Sequence, residues 1–128
     1  MAENFVVKEV LTEDMVEAGE ALLRELDKSG VPIAAAIWVW YVEDPEWRLM
    51  CAAPELGDFY HEMESALEKL SPKHHDILDM SVGYALEGSE LARGLKAIDP
   101  LPGIHRKRLR KTPLGSHYIQ DGLLYRAT

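Results

Sequence analysis

This chain of 128 residues is poor in cysteine and lacks a long hydrophobic run. Its one cysteine, Cys51, excludes an internal disulfide and therefore a disulfide-stapled secreted domain. Because Cys51 lies in the apolar run Leu49–Ala53, we expect a small buried core residue rather than a reactive thiol. The longest apolar stretch, Val31–Val42, is too short to span a bilayer as a helix. We therefore expect no membrane partner and, since MAENFVVKEV has no signal-peptide pattern, a cytoplasmic protein.

Motifs that bind cofactors or build familiar active sites are also missing. There is no Walker loop, no G-x-G-x-x-G and no G-x-S-x-G, and the glycines are too dispersed to cradle a phosphate. The chain has no cysteine pair and no H-E-x-x-H, and the adjacent His74 and His75 are poor partners for one metal ion. We predict no cofactor and no metal site, and interpret these histidines as solvated loop residues. The lack of a catalytic constellation favours a protein that is not an enzyme.

Basic residues are scarce over most of the chain and concentrated in one segment. Residues 1–100 contain 21 acidic residues against 8 Lys and Arg, an excess of 13 negative charges. The last 28 residues contain one acid, Asp121, and six basic residues, five of which lie at positions 106–111. The candidate binding residues are therefore this basic segment: Arg106, Lys107, Arg108, Arg110 and Lys111.

The basic segment has two interpretations. As a strand, it places Arg106, Arg108 and Arg110 on one face, suited to forked contacts with nucleic-acid phosphates or with an acidic protein surface. Alternatively, its cations balance the negative charge of the same chain and protect a strand edge from aggregation. Because basic residues fall on both faces, the segment can hardly be the centre of a sheet. We expect it at a sheet edge, and we favour charge balance over binding.

Hydrophobic periodicity and breaker residues predict the element order α-β-β-α-β-α-β-β. The predicted helices cover about 12–29, 58–70 and 89–98, with Thr12 and Asp58 as caps of the first two. The predicted strands cover about 33–42, 47–53, 76–86, 104–111 and 118–125, with turns at 43–46 and 112–115. This order predicts an α+β protein, a single domain over residues 1–128. Its helices pack on a mostly antiparallel sheet of about five strands.

Six segments carry a resemblance to a group of small uncharacterised bacterial proteins. They are Leu26-Asp27, Val31-Pro32, Ala36-Ile37-Trp38, Glu46-Trp47-Arg48-Leu49, Tyr118-Ile119-Gln120-Asp121 and Tyr125-Arg126. The segments look like structural landmarks: a helix end, a tryptophan hairpin and a terminal strand. The resemblance implies a bacterial cytoplasmic protein and, because the group has no assigned activity, no reaction. The three tryptophans, Trp38, Trp40 and Trp47, are predicted to form a core cluster.

These observations favour a small binding module that acts through a macromolecular partner, with a protein or a second copy of the chain preferred. The alternative is a nucleic-acid-binding protein that uses the basic C-terminal hairpin. A third hypothesis is an enzyme with an unrecognised site. That site would be a pocket between the tryptophan hairpin and the second helix, built from His61, Glu62 or Glu64.

Overall fold

The computed structural model describes residues 10–40, 46–98, 100–114 and 117–128. Its helices are α1 (Glu13–Lys28), α2 (Gly57–Glu68), α3 (Pro72–Leu78) and α4 (Glu90–Ile98). Its strands are β1 (Ala35–Trp40), β2 (Trp47–Ala53), β3 (Val82–Leu86), β4 (Lys107–Leu114) and β5 (His117–Ala127). No helix of this described part is long and apolar enough to cross a membrane.

The five strands form one sheet in the order β3-β2-β1-β5-β4. The pairs β1–β2, β1–β5 and β4–β5 are antiparallel, whereas β2 and β3 run parallel. The predicted α+β class with a largely antiparallel sheet is therefore confirmed, and one parallel pair makes the sheet mixed. β1 lies at its centre with all six residues buried, as its apolar character on both faces predicts.

Hydrophobic layers cover both faces of the sheet. α1, α2 and α3 pack on the face that carries Trp38 and Tyr125. α4 packs on the opposite face, over Ile37 and Leu124. All three tryptophans are at most 5% exposed, and Cys51 is fully buried, which confirms their predicted places in the core.

α1 begins and ends where its sequence predicts. The Thr12 hydroxyl accepts a hydrogen bond from the Met15 N–H at 3.2 Å and so caps the first turn. After the helix, Gly30 adopts a φ of +77°, a left-handed conformation that favours glycine. Leu22, Leu23 and the other buried residues of the helix form the apolar stripe that faces the sheet.

The predicted strand over 76–86 is wrong in its first half. Residues Pro72–Leu78 form helix α3, and the Ser71 hydroxyl caps it by accepting from the His74 N–H. A serine followed by proline is a helix-start signal, since proline fits the first helical position. The sequence interpretation instead used Ser71 and Pro72 as the end of α2. His74 and His75 therefore lie on a helix rather than in a loop, and the element order becomes α-β-β-α-α-β-α-β-β.

Two further local predictions are wrong. Asp58 does not cap α2, because the helix begins at Gly57 and its N-cap, Leu56, makes no side-chain hydrogen bond. Residues 112–114 do not turn but continue β4, where Pro113 pairs with Tyr118. Proline is tolerated there because β4 is an edge strand. Residue 115, residues 41–42 and the predicted turn at 43–45 lie outside the described residues.

A buried hydrogen-bond chain joins α1 to the sheet. Tyr125 Oη accepts from Trp38 Nε1 at 2.9 Å and donates to the Val16 carbonyl oxygen at 2.6 Å. Burial, the foremost cause, raises the pKa of Tyr125 well above its ordinary value, so the phenol stays protonated. Gly19 permits this close approach, because a Cβ there would overlap the Tyr125 ring and hydroxyl.

A second polar contact fixes the end of the chain. Arg126, 8% exposed, donates to both carboxylate oxygens of Asp27 at 2.6 and 2.9 Å. Its Nε also donates to the Gly103 carbonyl oxygen at 2.7 Å. Asp27 and Arg126 belong to two of the six segments that carry the resemblance. The two residues therefore have a structural role in those segments, because they join the end of α1 to the end of β5.

Candidate functional site

The predicted basic segment lies at one edge of the sheet. Arg106 directly precedes β4, and the other four basic residues lie on that strand, whose only neighbour in the sheet order is β5. The predicted edge position is confirmed. The register pairs Lys107 with Leu124 and Arg108 with Leu123, which lie under opposite helical layers, so the cations do alternate between the two faces.

Arg106 is bound by two carboxylates of α1. Its Nε and Nη2 donate to the two Glu20 oxygens at 2.7 and 2.9 Å, and its Nη1 donates to Glu13 at 2.9 Å. The hydrogen bond from Arg106 is the foremost cause that lowers the pKa of Glu20. The reciprocal bonds raise the pKa of Arg106. The fork geometry that suits arginine to phosphate is thus already filled from within the chain.

Arg108 and Arg110 converge on the single acid of the C-terminal segment. Arg108 Nε and Nη2 each donate to Asp121 at 2.7 Å, and Arg110 Nε lies 3.7 Å from the same carboxylate. Asp121 is buried in β5, and the guanidinium of Arg108 also lies 5.8 Å from the centre of the Trp47 ring. The hydrogen bonds with Asp121 raise the pKa of Arg108.

The five predicted binding residues do not form one open anionic-ligand site. Three of them contact carboxylates of the same chain, Lys107 is half-buried, and Lys111 is exposed with a φ of +50°. This arrangement agrees with the charge-balance interpretation. Nucleic-acid binding through this strand stays a prediction, and phosphates would have to replace carboxylates that already hold Arg106 and Arg108.

The opposite edge of the sheet has a different character. Among the described strands, β3 pairs only with β2. The Leu49 N–H donates to Ser81 O at 2.7 Å, and the Glu87 N–H donates to Ala53 O at 2.8 Å. Along a strand, the backbone N–H and C=O groups of successive residues point to opposite sides. Ser81 and Glu87 bond to β2, so the N–H and C=O groups of residues 82, 84 and 86 point away from β2. The Leu86 carbonyl oxygen accepts from Ser89 at 3.0 Å. No described residue pairs with the other outward groups of this strand.

The side chains of β3 leave that edge without the usual protection. Val82–Leu86 contains no charged residue and no proline, whereas β4 carries four charges and a proline. Natural sheets cover, shorten or charge their edge strands, because an open edge can pair with another chain. At the end of β3, Leu86 is 46% exposed, and Met80 before it is 85% exposed. The β3 edge is therefore the edge suited to strand pairing.

A cleft opens beside this edge, on the face covered by α2 and α3. Its volume is about 450 Å³ and it is lined by Tyr60, Glu64, Leu67, Glu68, His75, Asp79 and Tyr84. We call it the β3 cleft. Tyr60 and Tyr84 form its aromatic wall, with ring centres 4.5 Å apart at 65°. Burial, then nearby groups that include Glu64, raise the pKa of Tyr84, so its hydroxyl stays neutral and able to donate.

The residues of the enzyme hypothesis do not come together. Glu64 lines the β3 cleft, Glu62 lines a separate cleft of about 130 Å³ beside Val31 and Pro32, and His61 lines neither. Cys51 is buried, and that burial raises the pKa of its thiol to about 12. Within the described ranges, no group of three His, Cys, Asp or Glu residues is placed to hold a metal ion.

Comparison with known proteins leaves the chain without a functional relative. No protein-family model, no curated protein and no solved structure matches it. The resemblance to small bacterial proteins therefore rests on the quoted sequence segments alone.

Sequence reasoning missed the β3 cleft because its lining comes from α2, α3 and β3, of which α3 was not predicted, and because periodicity does not show which elements lie side by side. α3, which contributes His75 and Asp79, was interpreted as strand and loop. Tyr60 falls on α2 outside its apolar stripe, and Tyr84 was an ordinary strand residue. One signal was present in the sequence: Tyr60 and Glu64 are four residues apart, which places them on the same face of the predicted second helix.

Proposed function

We propose that this protein is a binding module whose partner is another protein, and that the partner adds an extended segment to the outer edge of β3. The observation that carries the proposal is the contrast between the two sheet edges. The β4 edge and the residue before it are basic, and Arg106, Arg108 and Arg110 contact the chain's own carboxylates. The β3 edge is uncharged and has outward backbone groups without described partners. Strand addition would satisfy those groups with main-chain hydrogen bonds.

The neighbouring cleft supports the same assignment. Main-chain pairing supplies affinity in strand addition but little specificity, which comes from pockets that receive alternate side chains of the added strand. The β3 cleft adjoins the edge through Tyr84, which belongs to both. Tyrosine is among the residues enriched where proteins bind one another, since it offers a large apolar surface and a polar tip.

The experiment compares two substitutions at one position. The Leu86 N–H points outward, so Leu86→Pro removes a donor that a partner strand needs, without removing a bond to β2. Leu86→Ala removes the side chain but keeps the donor, and serves as the matched control. A library of heptapeptides displayed on phage is selected on immobilised wild-type protein, and the recovered clones are then tested on both variants.

We expect the selected peptides to bind wild type and Leu86→Ala, and to bind Leu86→Pro at least about tenfold more weakly, through the lost backbone bond and the steric block. Circular dichroism and a urea transition establish that each variant is folded. Leu86→Lys, which keeps the donor but places a cation on the edge, gives a second test. If no clone prefers wild type to Leu86→Pro and Leu86→Lys, strand addition at β3 is refuted.

A further inference from the structure

The carboxylates of the β3 cleft differ from most acids around α1 and β4. The side-chain carboxylates of Glu64, Glu68 and Asp79 make no hydrogen bond or ion pair with any residue that the structure describes. Glu64 and Glu68 are also spaced four apart on α2, an arrangement in which like charges lower helix stability. Three negative groups thus stand together around the cleft without a compensating cation.

The two lysines on or next to the helices that line the cleft contact acids of α1. Lys69, which follows α2, lies 3.8 Å from Glu25, and Lys73 of α3 lies 3.0 Å from Asp14, both acids on α1. His75 also lines the cleft, and its Nδ1 lies 3.9 Å from Asp76, which does not line the cleft. The cleft is therefore a concavity with three carboxylates and an aromatic wall, and none of its lining residues is a lysine or arginine.

The geometry of strand addition relates this cleft to the β3 edge. In neighbouring strands, side chains of directly opposed residues lie on the same face, with Cβ atoms about 5 Å apart. The Tyr84 side chain lies on the α2 face, in contact with the rings of Tyr60 and Phe59. A partner residue opposite Tyr84 would therefore send its side chain over the same face and into the β3 cleft.

We propose that the residue which the partner places opposite Tyr84 is a lysine or arginine, held between the Tyr60–Tyr84 wall and the carboxylates of Glu64, Glu68 and Asp79. This proposal rests on the proposed function and names the chemistry of its partner. A cation over a tyrosine ring gains from the negative face of the ring, and the carboxylates add charge attraction. The excess of 13 negative charges in residues 1–100 would attract such a basic segment at long range.

The test uses the same displayed heptapeptides and reads their sequences. We expect the clones that distinguish wild type from Leu86→Pro to be enriched in lysine or arginine at one fixed position. For one such peptide, replacing that residue with norleucine keeps the stem but removes the charge. We expect affinity to fall about tenfold, and the wild-type complex to weaken as NaCl is raised from 50 to 500 mM.

The matched protein variants carry equal changes in net charge. Glu64→Gln with Glu68→Gln removes two carboxylates from the cleft, and we expect it to reduce the preference for the basic peptide over its norleucine form. Glu17→Gln with Glu62→Gln removes two carboxylates outside the cleft and should keep that preference, which separates a local site from general attraction.

The outcomes distinguish this proposal from the proposed function. Clones that depend on the Leu86 N–H but show no fixed basic residue, or bind equally with norleucine, would overturn the cation site and leave strand addition standing. Equal losses in the two double variants would also overturn it. If no clone depends on Leu86 at all, strand addition fails and the cation site fails with it.

Discussion

Tyr125→Phe removes a single hydroxyl from the buried contact between α1 and the sheet. In the wild type this hydroxyl accepts from Trp38 Nε1 and donates to the Val16 carbonyl oxygen. Val16 lies within α1, so its carbonyl oxygen can keep its helical partner when the tyrosine is changed. The Trp38 indole N–H has no second acceptor among the described residues, and its side chain is fully buried. The variant therefore leaves one buried donor unsatisfied.

The magnitude follows from that donor. A buried polar group left without its hydrogen bond destabilises a protein by about 1–3 kcal/mol. With a urea m-value of about 2 kcal/mol/M for a small protein, the midpoint of unfolding should fall by about 0.5–1.5 M. Urea titration followed by tryptophan fluorescence and by far-ultraviolet circular dichroism measures this shift and checks that the m-value is unchanged.

Tyr118→Phe is the matched control for this prediction. Tyr118 lies on the same strand but is 55% exposed, so loss of its hydroxyl should change the free energy of unfolding by less than about 0.5 kcal/mol. Equal, small effects of the two substitutions would refute the view that the Trp38–Tyr125–Val16 chain stabilises the packing of α1 on the sheet.

Further predictions concern the paired acids and the buried thiol. Arg106 lowers the pKa of Glu20 below its ordinary 4.5 in the folded state. The ion pair between them therefore stabilises the fold fully above pH 4.5, and this stabilisation is lost as the pH falls through the lowered pKa. Glu20→Gln should flatten the acid limb of a pH–stability profile, and an unchanged limb would contradict the pairing. Asp121→Asn weakens the contact with Arg108 and should cost about 1–2 kcal/mol in urea unfolding. That figure is below the range for a fully buried pair, because Arg108 reaches solvent; no loss would contradict it. Cys51, with its pKa raised to about 12, should resist Ellman's reagent at pH 8 until guanidinium unfolds the protein, whereas rapid reaction of the folded protein would show that the thiol is accessible.

Local sequence signals predicted those elements that carry their own start, end and hydrophobic pattern. α1 has a capping threonine, an apolar stripe and a terminating glycine, so its bounds follow from about 18 neighbouring residues. β1 is apolar on both faces, which requires cover on both sides. The sequence did not predict α3, because the start signal of this helix, Ser71-Pro72, is also a signal for the end of a preceding helix. Only packing against α1 and α2 distinguishes the two.

For the basic segment, the sequence predicted the position in the sheet but not the partners of its charges. Charges on both faces were sufficient to place it at a sheet edge, since buried charges need partners. The sequence could not identify those partners, because Glu13 and Glu20 precede Arg106 by more than 80 residues. Only the tertiary structure brings these two residues of α1 within hydrogen-bond distance of Arg106, which directly precedes β4.

By itself, then, the sequence determined the class of fold, the buried tryptophan hairpin and the edge position of the basic strand. These depend on local hydrophobicity and charge, which act over a few residues. Tertiary structure alone decided which charges neutralise one another and which remain unpaired. It also set the uncharged strand β3 at one edge of the sheet and the basic strand β4 at the other. The reason is physical: pairing of charges and formation of a cleft depend on distances between elements remote in the chain, and folding alone sets those distances.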